Sequence, residues 1–199
     1  MASFLKHHAA AVALMVACVS GPTGKSGVLA QNAQPPVWTV NAAQSSLGFT
    51  TRWAGSPVAG TFTNWTADIR FDSRNLRASR VRVVVQTAAI RSGRKEVVDN
   101  LPGTDWLSSR AFLTATFEAN TFTALGGNRY RADGILTLRG ARHRLSLLFT
   151  LDTNGAVATM NGAAALNRLP LGIGVDSDSS AEWVDRVTTL NVRVMATRR

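Results

Sequence analysis

Cysteine is nearly missing from this chain: among 199 residues the one thiol is Cys18. A single cysteine forms no internal disulfide, so the fold rests on apolar burial and backbone pairing alone. Histidine is almost as scarce, with only His143 beyond residue 8. Too few imidazole or thiolate ligands remain for a zinc or haem centre. A Ser-His-Asp assembly needs its base beside a nucleophile and an orienting acid, whereas His143 stands between Arg142 and Arg144 at a hairpin corner. Long apolar runs are missing too. The longest, Ala9 to Val19, is eleven residues, too short to span a bilayer as a helix. Acidic residues are outnumbered, with 22 Lys and Arg against 12 Asp and Glu. The arginines come in pairs spaced by two (Arg80 and Arg82, Arg129 and Arg131, Arg142 and Arg144), which places each pair on the wet face of its own strand. No exposed aromatics interleave with them, so the pattern argues against a nucleic-acid partner.

The first thirty residues read as an export signal. Lys6 precedes the apolar run, and Gly21 and Pro22 break any helix after it. Three processing sites fit: a cut after Ala30, one after Ser20, or lipidation of Cys18 behind a loose lipobox, Met15-Val16-Ala17. Residues 31–36 form a linker, and residues 37–199 are expected to form one domain, periplasmic once exported. GPTGKS (Gly21 to Ser26) imitates a phosphate-binding loop, but the required earlier glycine falls at Val19 and no strand precedes it.

What is present is alternation. Leu145, Leu147, Phe149 and Leu151 share one side of an extended strand, and YRADGILTLRG (Tyr130 to Gly140) precedes them with the same period. The two halves make a hairpin reversing around Gly140, Ala141 and Arg142. Leu47, Phe49, Thr51 and Trp53 mark an early strand, and Val81, Val83 and Val85 a third. Between these, Val58, Gly60 and Phe62 have one parity while Trp65, Ala67, Ile69 and Phe71 have the other, so a bend is expected at Thr63 and Asn64. Asn154-Gly155 is a turn signal. Alternation lapses from Ser92 to Ser109, where a short helix near residues 104–110 is expected in a loop covering one end. The sum is an all-β, antiparallel, lipocalin-like up-and-down barrel of about eight strands.

Chemistry-bearing clusters are few. Asp176-x-Asp178-x-Ser180 opens like a calcium loop, but Ala181 and Val187 occupy positions that need Gly and Glu. Asn64-Trp65-Thr66 matches a glycosylation acceptor by pattern only. The surplus lies in large apolar residues of inward parity: Phe49, Trp53, Phe62, Trp65, Ile69, Phe71, Val83, Val85, Trp106, Phe112, Phe117, Leu136, Leu147 and Phe149. They either fill a solid core or line a cavity for a long apolar ligand, which gains about 0.8 kcal/mol per buried methylene. Composition does not choose between the two.

Ordered segments add a resemblance. WTVNAAQSSLGF (Trp38 to Phe49), GTFTNWTADIRFD (Gly60 to Asp72), DWL (Asp105 to Leu107), TATFEA (Thr114 to Ala119), GILTLRG (Gly134 to Gly140) and LNRLPLGIG (Leu166 to Gly174) together resemble the YceI-like family of periplasmic, lipocalin-like proteins that bind polyisoprenoids. The resemblance implies a ligand-binding barrel, no enzymatic activity and no cofactor, with an isoprenoid, quinone or similar lipid inside. In the carrier mechanism expected here, an apolar tail passes from membrane to barrel interior, with Arg168 or Trp106 near the mouth steering a polar head group. Family histidines are missing at Gln44, near Trp53 and Ala54, and within Glu96 to Leu101. The DWL variant resembles a branch found beside b-type membrane cytochromes, which makes such a cytochrome a candidate partner and an accessory or docking role the second reading.

Overall fold

The structure, a computed structural model, describes residues 34–199. The expected signal, its processing sites and the first half of the linker lie outside the described residues.

Each stave of the barrel follows from its alternation, and the first three are bent. The first is β1 (Val37–Val40) and β2 (Ser46–Trp53), separated by a 3-10 turn at Ala42–Gln44. Asn41 caps that turn, its side-chain oxygen accepting from the Ala43 N–H at 3.1 Å. The second stave is β3 (Ser56–Phe62) and β4 (Trp65–Arg70), bent at Thr63 and Asn64. The change of parity is therefore absorbed where the sequence places it, and residues on both sides of the bend face inward. The third stave is β5 (Arg80–Gln86) and β6 (Ile90–Ser92). Five unbroken strands follow: β7 (Thr114–Ala124), β8 (Arg129–Leu138), β9 (Ala141–Asn154), β10 (Val157–Asn167) and β11 (Val187–Arg198).

Every neighbour pair is antiparallel. β4 pairs with β1 and β5, β3 with β2 and β6, and β5 through β11 run in sequence order apart from β6. The seam closes on β11, which pairs through Thr189–Arg193 with β2 and through Ala196–Arg198 with β1. Eleven strands thus make a closed eight-stave, up-and-down barrel with no free sheet edge along most of its height.

Two local expectations change. The only α-helix among the described residues, α1, spans Lys95–Asn100, while residues 104–110 take turns instead. Thr104 and Asp105 do not cap a helix; Asp105 accepts hydrogen bonds from another loop, described below. The β8–β9 reversal sits one residue earlier than expected, at Arg139-Gly140, with Leu138 opposite Ala141. Both turn residues have positive φ, 51° and 75°, which matches the right-handed twist of the strands they join. His143 therefore lies within β9, opposite Leu136, not at the corner.

The far end of the barrel is plugged by aromatic rings. Phe71 meets Phe122, Tyr130 and Phe149 edge-on at centroid distances of 5.4, 5.6 and 6.0 Å. The opposite end carries the β2–β3 turn, α1 and its following loop, the β8–β9 turn and the long β10–β11 loop. That end holds the opening.

Candidate functional site

The barrel is not filled by its own side chains. An apolar cavity of about 280 Å³ runs inside it. Every residue expected to line such a space does so except Trp53 and Phe112. Trp53 belongs instead to an outer chamber of about 330 Å³ at the open end. Phe112 packs beneath the β8–β9 turn, where a Cβ on Gly140 would come within 2.9 Å of its ring. It follows the loop that Thr87 fastens to the wall, with the Thr87 hydroxyl donating to the Phe112 carbonyl at 2.7 Å, so its ring is committed to the rim.

Small residues make the hollow. Ala67, Ala115, Ala132, Ala158, Ala164 and Ala196 all face the cavity, where Leu or Phe at the same parity would fill it. Glycines let the large rings lie against the wall. A Cβ on Gly60 would stand 2.5 Å from the Phe49 ring, and one on Gly134 would stand 2.7 Å from that of Phe117. Counting large residues alone missed this; the inward alanines were the available signal. Leu101, Leu107 and Ile173, which close the open end, come from loops without periodicity and left no such signal.

The loops at the mouth are built from charge. Arg168 is 2% exposed, and its guanidinium is fully engaged. Its Nε donates to the Asp185 carbonyl, Nη1 to those of Ile173 and Gly174, and Nη2 to those of Asp178 and Val184. Nη2 also meets the Asp178 carboxylate at 2.5 Å. The guanidinium expected to face a head group thus has its N–H groups committed to its own loop. It lines the cavity wall and holds the β10–β11 loop in a coil, with Trp106 5.8 Å from its Cζ. Burial works to raise the Asp178 carboxyl, but N–H groups of Val184, Trp183 and Glu182, with Arg168 beside it, hold it below the usual carboxylate range. This aspartate is a structural counter-ion, both its oxygens engaged within the loop.

A second acid ties two loops together. Asp105 accepts from the Asp176 and Ser177 N–H groups at 2.9 and 3.1 Å and from the Ser177 hydroxyl at 2.5 Å. Burial again opposes its ionisation, and these bonds, with Arg139 nearby, outweigh it and lower its pKa. Arg139, from the β8–β9 turn, donates to the carbonyls of Thr104, Asp105 and Trp106. Three elements thus fix Trp106 over the opening.

The outer chamber shares Phe49, Thr51, Leu101, Trp106 and Val184 with the interior. Trp53 and Trp183 stand at its edge, 37% and 56% exposed, joined by the Ala54 N–H to Trp183 carbonyl bond at 2.7 Å. His143 lies apart from the cavity lining, and its Nε2 is buried without a partner. Among the described residues no three His, Cys, Asp or Glu side chains are grouped to hold a metal ion.

Comparison with known proteins agrees with this architecture. The crystal structure of BcnA from Burkholderia cenocepacia superposes with a TM-score of 0.76 at 24% identity, covering 80% of this chain and all of that one. The YCEI protein of Campylobacter jejuni superposes with a TM-score of 0.61 at 15% identity, over 70% of this chain and 84% of the other. In sequence, a UPF0312 protein of Vibrio vulnificus is 29% identical over 119 residues, 59% of this chain and 63% of the relative, so the match spans just under two thirds of that protein's length. A UPF0312 protein of Shewanella oneidensis is also 29% identical, over 120 residues. The YceI-like domain family model matches residues 38–196, almost the whole described barrel, and the chain belongs to that family.

Proposed function

We propose that this protein holds or carries a long apolar molecule, an isoprenoid, a prenyl quinone or a similar lipid, inside its barrel, and does so outside the cytoplasm after export. The observation that carries this reading is the cavity itself, a hollow walled by alanines and flattened aromatic rings where a solid core would have needed only larger side chains. Its wall offers a ligand almost nothing but carbon. Transfer of a prenyl tail from membrane to interior replaces one apolar solvent by another, while each methylene kept from water is worth about 0.8 kcal/mol. The role is binding: the charged groups at the mouth are engaged in holding loops and not in facing a reacting centre.

Native mass spectrometry of the protein purified gently from its host, followed by organic extraction, tests this. The expected result is a co-purifying lipid released only on unfolding. An empty barrel that also fails to take up polyprenols or prenyl quinones in vitro would overturn the proposal.

A further inference from the structure

The neck between the two cavities decides what the far end of a bound molecule meets. With its tail in the interior, a ligand leaves its other end in the outer chamber. The polar residues there differ in what they have left to offer. Ser177 gives its hydroxyl to Asp105, and both Asp178 oxygens are engaged by Arg168 and backbone N–H groups. Thr51, Glu96 and Asn100 remain. Thr51 lines both chambers, yet its Oγ1 is buried without a hydrogen-bond partner. A buried hydroxyl left unpaired is destabilising and calls for an acceptor or donor. No Lys or Arg lines the outer chamber, and the guanidinium on the interior wall, Arg168, has every N–H in use. A carboxylate or phosphate seated here finds no cation among the lining residues and faces the Glu96 side chain.

We infer that the ligand carries an uncharged, hydrogen-bonding head seated in the outer chamber against Thr51 and Asn100, and that the barrel selects against anionic amphiphiles. This rests on the reading of the barrel as a holder of long apolar molecules, and narrows it. The head group is thus recognised by neutral hydrogen bonding, with Thr51 as the residue that determines specificity.

The test compares hexadecane, hexadecanol and palmitate, each competing against a bound fluorescent apolar probe. Hexadecanol is expected to bind at least about tenfold more tightly than palmitate. Thr51→Val keeps the side-chain shape and removes the hydroxyl. It is expected to shrink the advantage of hexadecanol over hexadecane by roughly three- to tenfold while leaving hexadecane unchanged. Glu96→Lys, on the exposed face of α1, is expected to raise palmitate affinity. Palmitate binding as well as hexadecanol to the unaltered protein would overturn the inference. So would an unchanged alcohol-to-alkane ratio in Thr51→Val, or an unchanged palmitate affinity in Glu96→Lys. If none of the three competes although the barrel is folded by circular dichroism, the carrier reading itself falls and takes this inference with it.

Discussion

Arg168 shows how much one residue organises at the open end. A buried guanidinium is stable only when its charge and all its N–H groups are matched, and here one carboxylate and five carbonyls do so. Arg168→Met keeps much of the side-chain length but leaves the buried Asp178 carboxylate without its counter-ion. The expected loss is about 3–5 kcal/mol of unfolding free energy, read by urea denaturation. The acids of this end set the pH response. Asp105 and Asp178 both have folded-state pKa values below their ordinary ones. Their stabilisation is therefore complete above the unfolded carboxylate value, about 3.9, and is lost as pH falls through the lower folded values. Trp106 and Trp183 ride on these loops, so tryptophan fluorescence is expected to hold steady from neutral pH down to about pH 4 and to change only in stronger acid. A transition near pH 6 would contradict the assignment. In the sequence Arg168 and Asp178 were visible only as a lone arginine and a member of an acidic cluster, because nothing in local spacing reveals that a coil of carbonyls will wrap one around the other.

At the level of elements, period-two alternation carried most of the information. The Tyr130–Leu151 hairpin, the Val81–Val85 strand and the bend at Thr63 and Asn64 follow from parity alone, since a wrong register would expose every apolar side chain at once. What alternation does not reach is the loops. α1 begins at Lys95 without a side-chain cap, so the usual start signal was missing there, while Thr104 and Asp105 offered a cap to a helix that does not form. Asp105 instead serves two N–H groups and a hydroxyl of the β10–β11 loop, a partner more than seventy residues away. The β8–β9 turn gives a direct test of element chemistry. Gly140 sits at φ 75°, and a Cβ there would also press on Phe112 at 2.9 Å. Gly140→Ala is expected to lower stability by about 1–2 kcal/mol in thermal or urea unfolding, whereas Gly126→Ala, which meets nothing within 4 Å and bears only the backbone penalty, is expected to lose less.

For the molecule as a whole, closure is the decisive feature, and one strand provides it. β11 pairs with β10 along its length and then divides its other edge between β2 and β1. Removing residues 196–199 deletes the pairs Trp38–Arg198, Thr39–Thr197 and Val40–Ala196 on one edge and Val157–Thr197 and Ala158–Ala196 on the other. At about 1 kcal/mol for each cross-strand pair lost, the shortened chain is expected to be less stable by on the order of 5 kcal/mol in urea unfolding, and amide exchange is expected to quicken first in Val37–Val40. The same seam governs when the protein first has an inside. A chain made or threaded from its N-terminus emerges with β1 and β2 before the other staves, but their partner β11 is the last strand of the barrel to appear. Until then the hydrophobic lining is one face of an open ribbon, wet and available to any passing apolar surface. On the proposed carrier reading, an apolar molecule can be enclosed only after the first and last strands of the barrel have found each other.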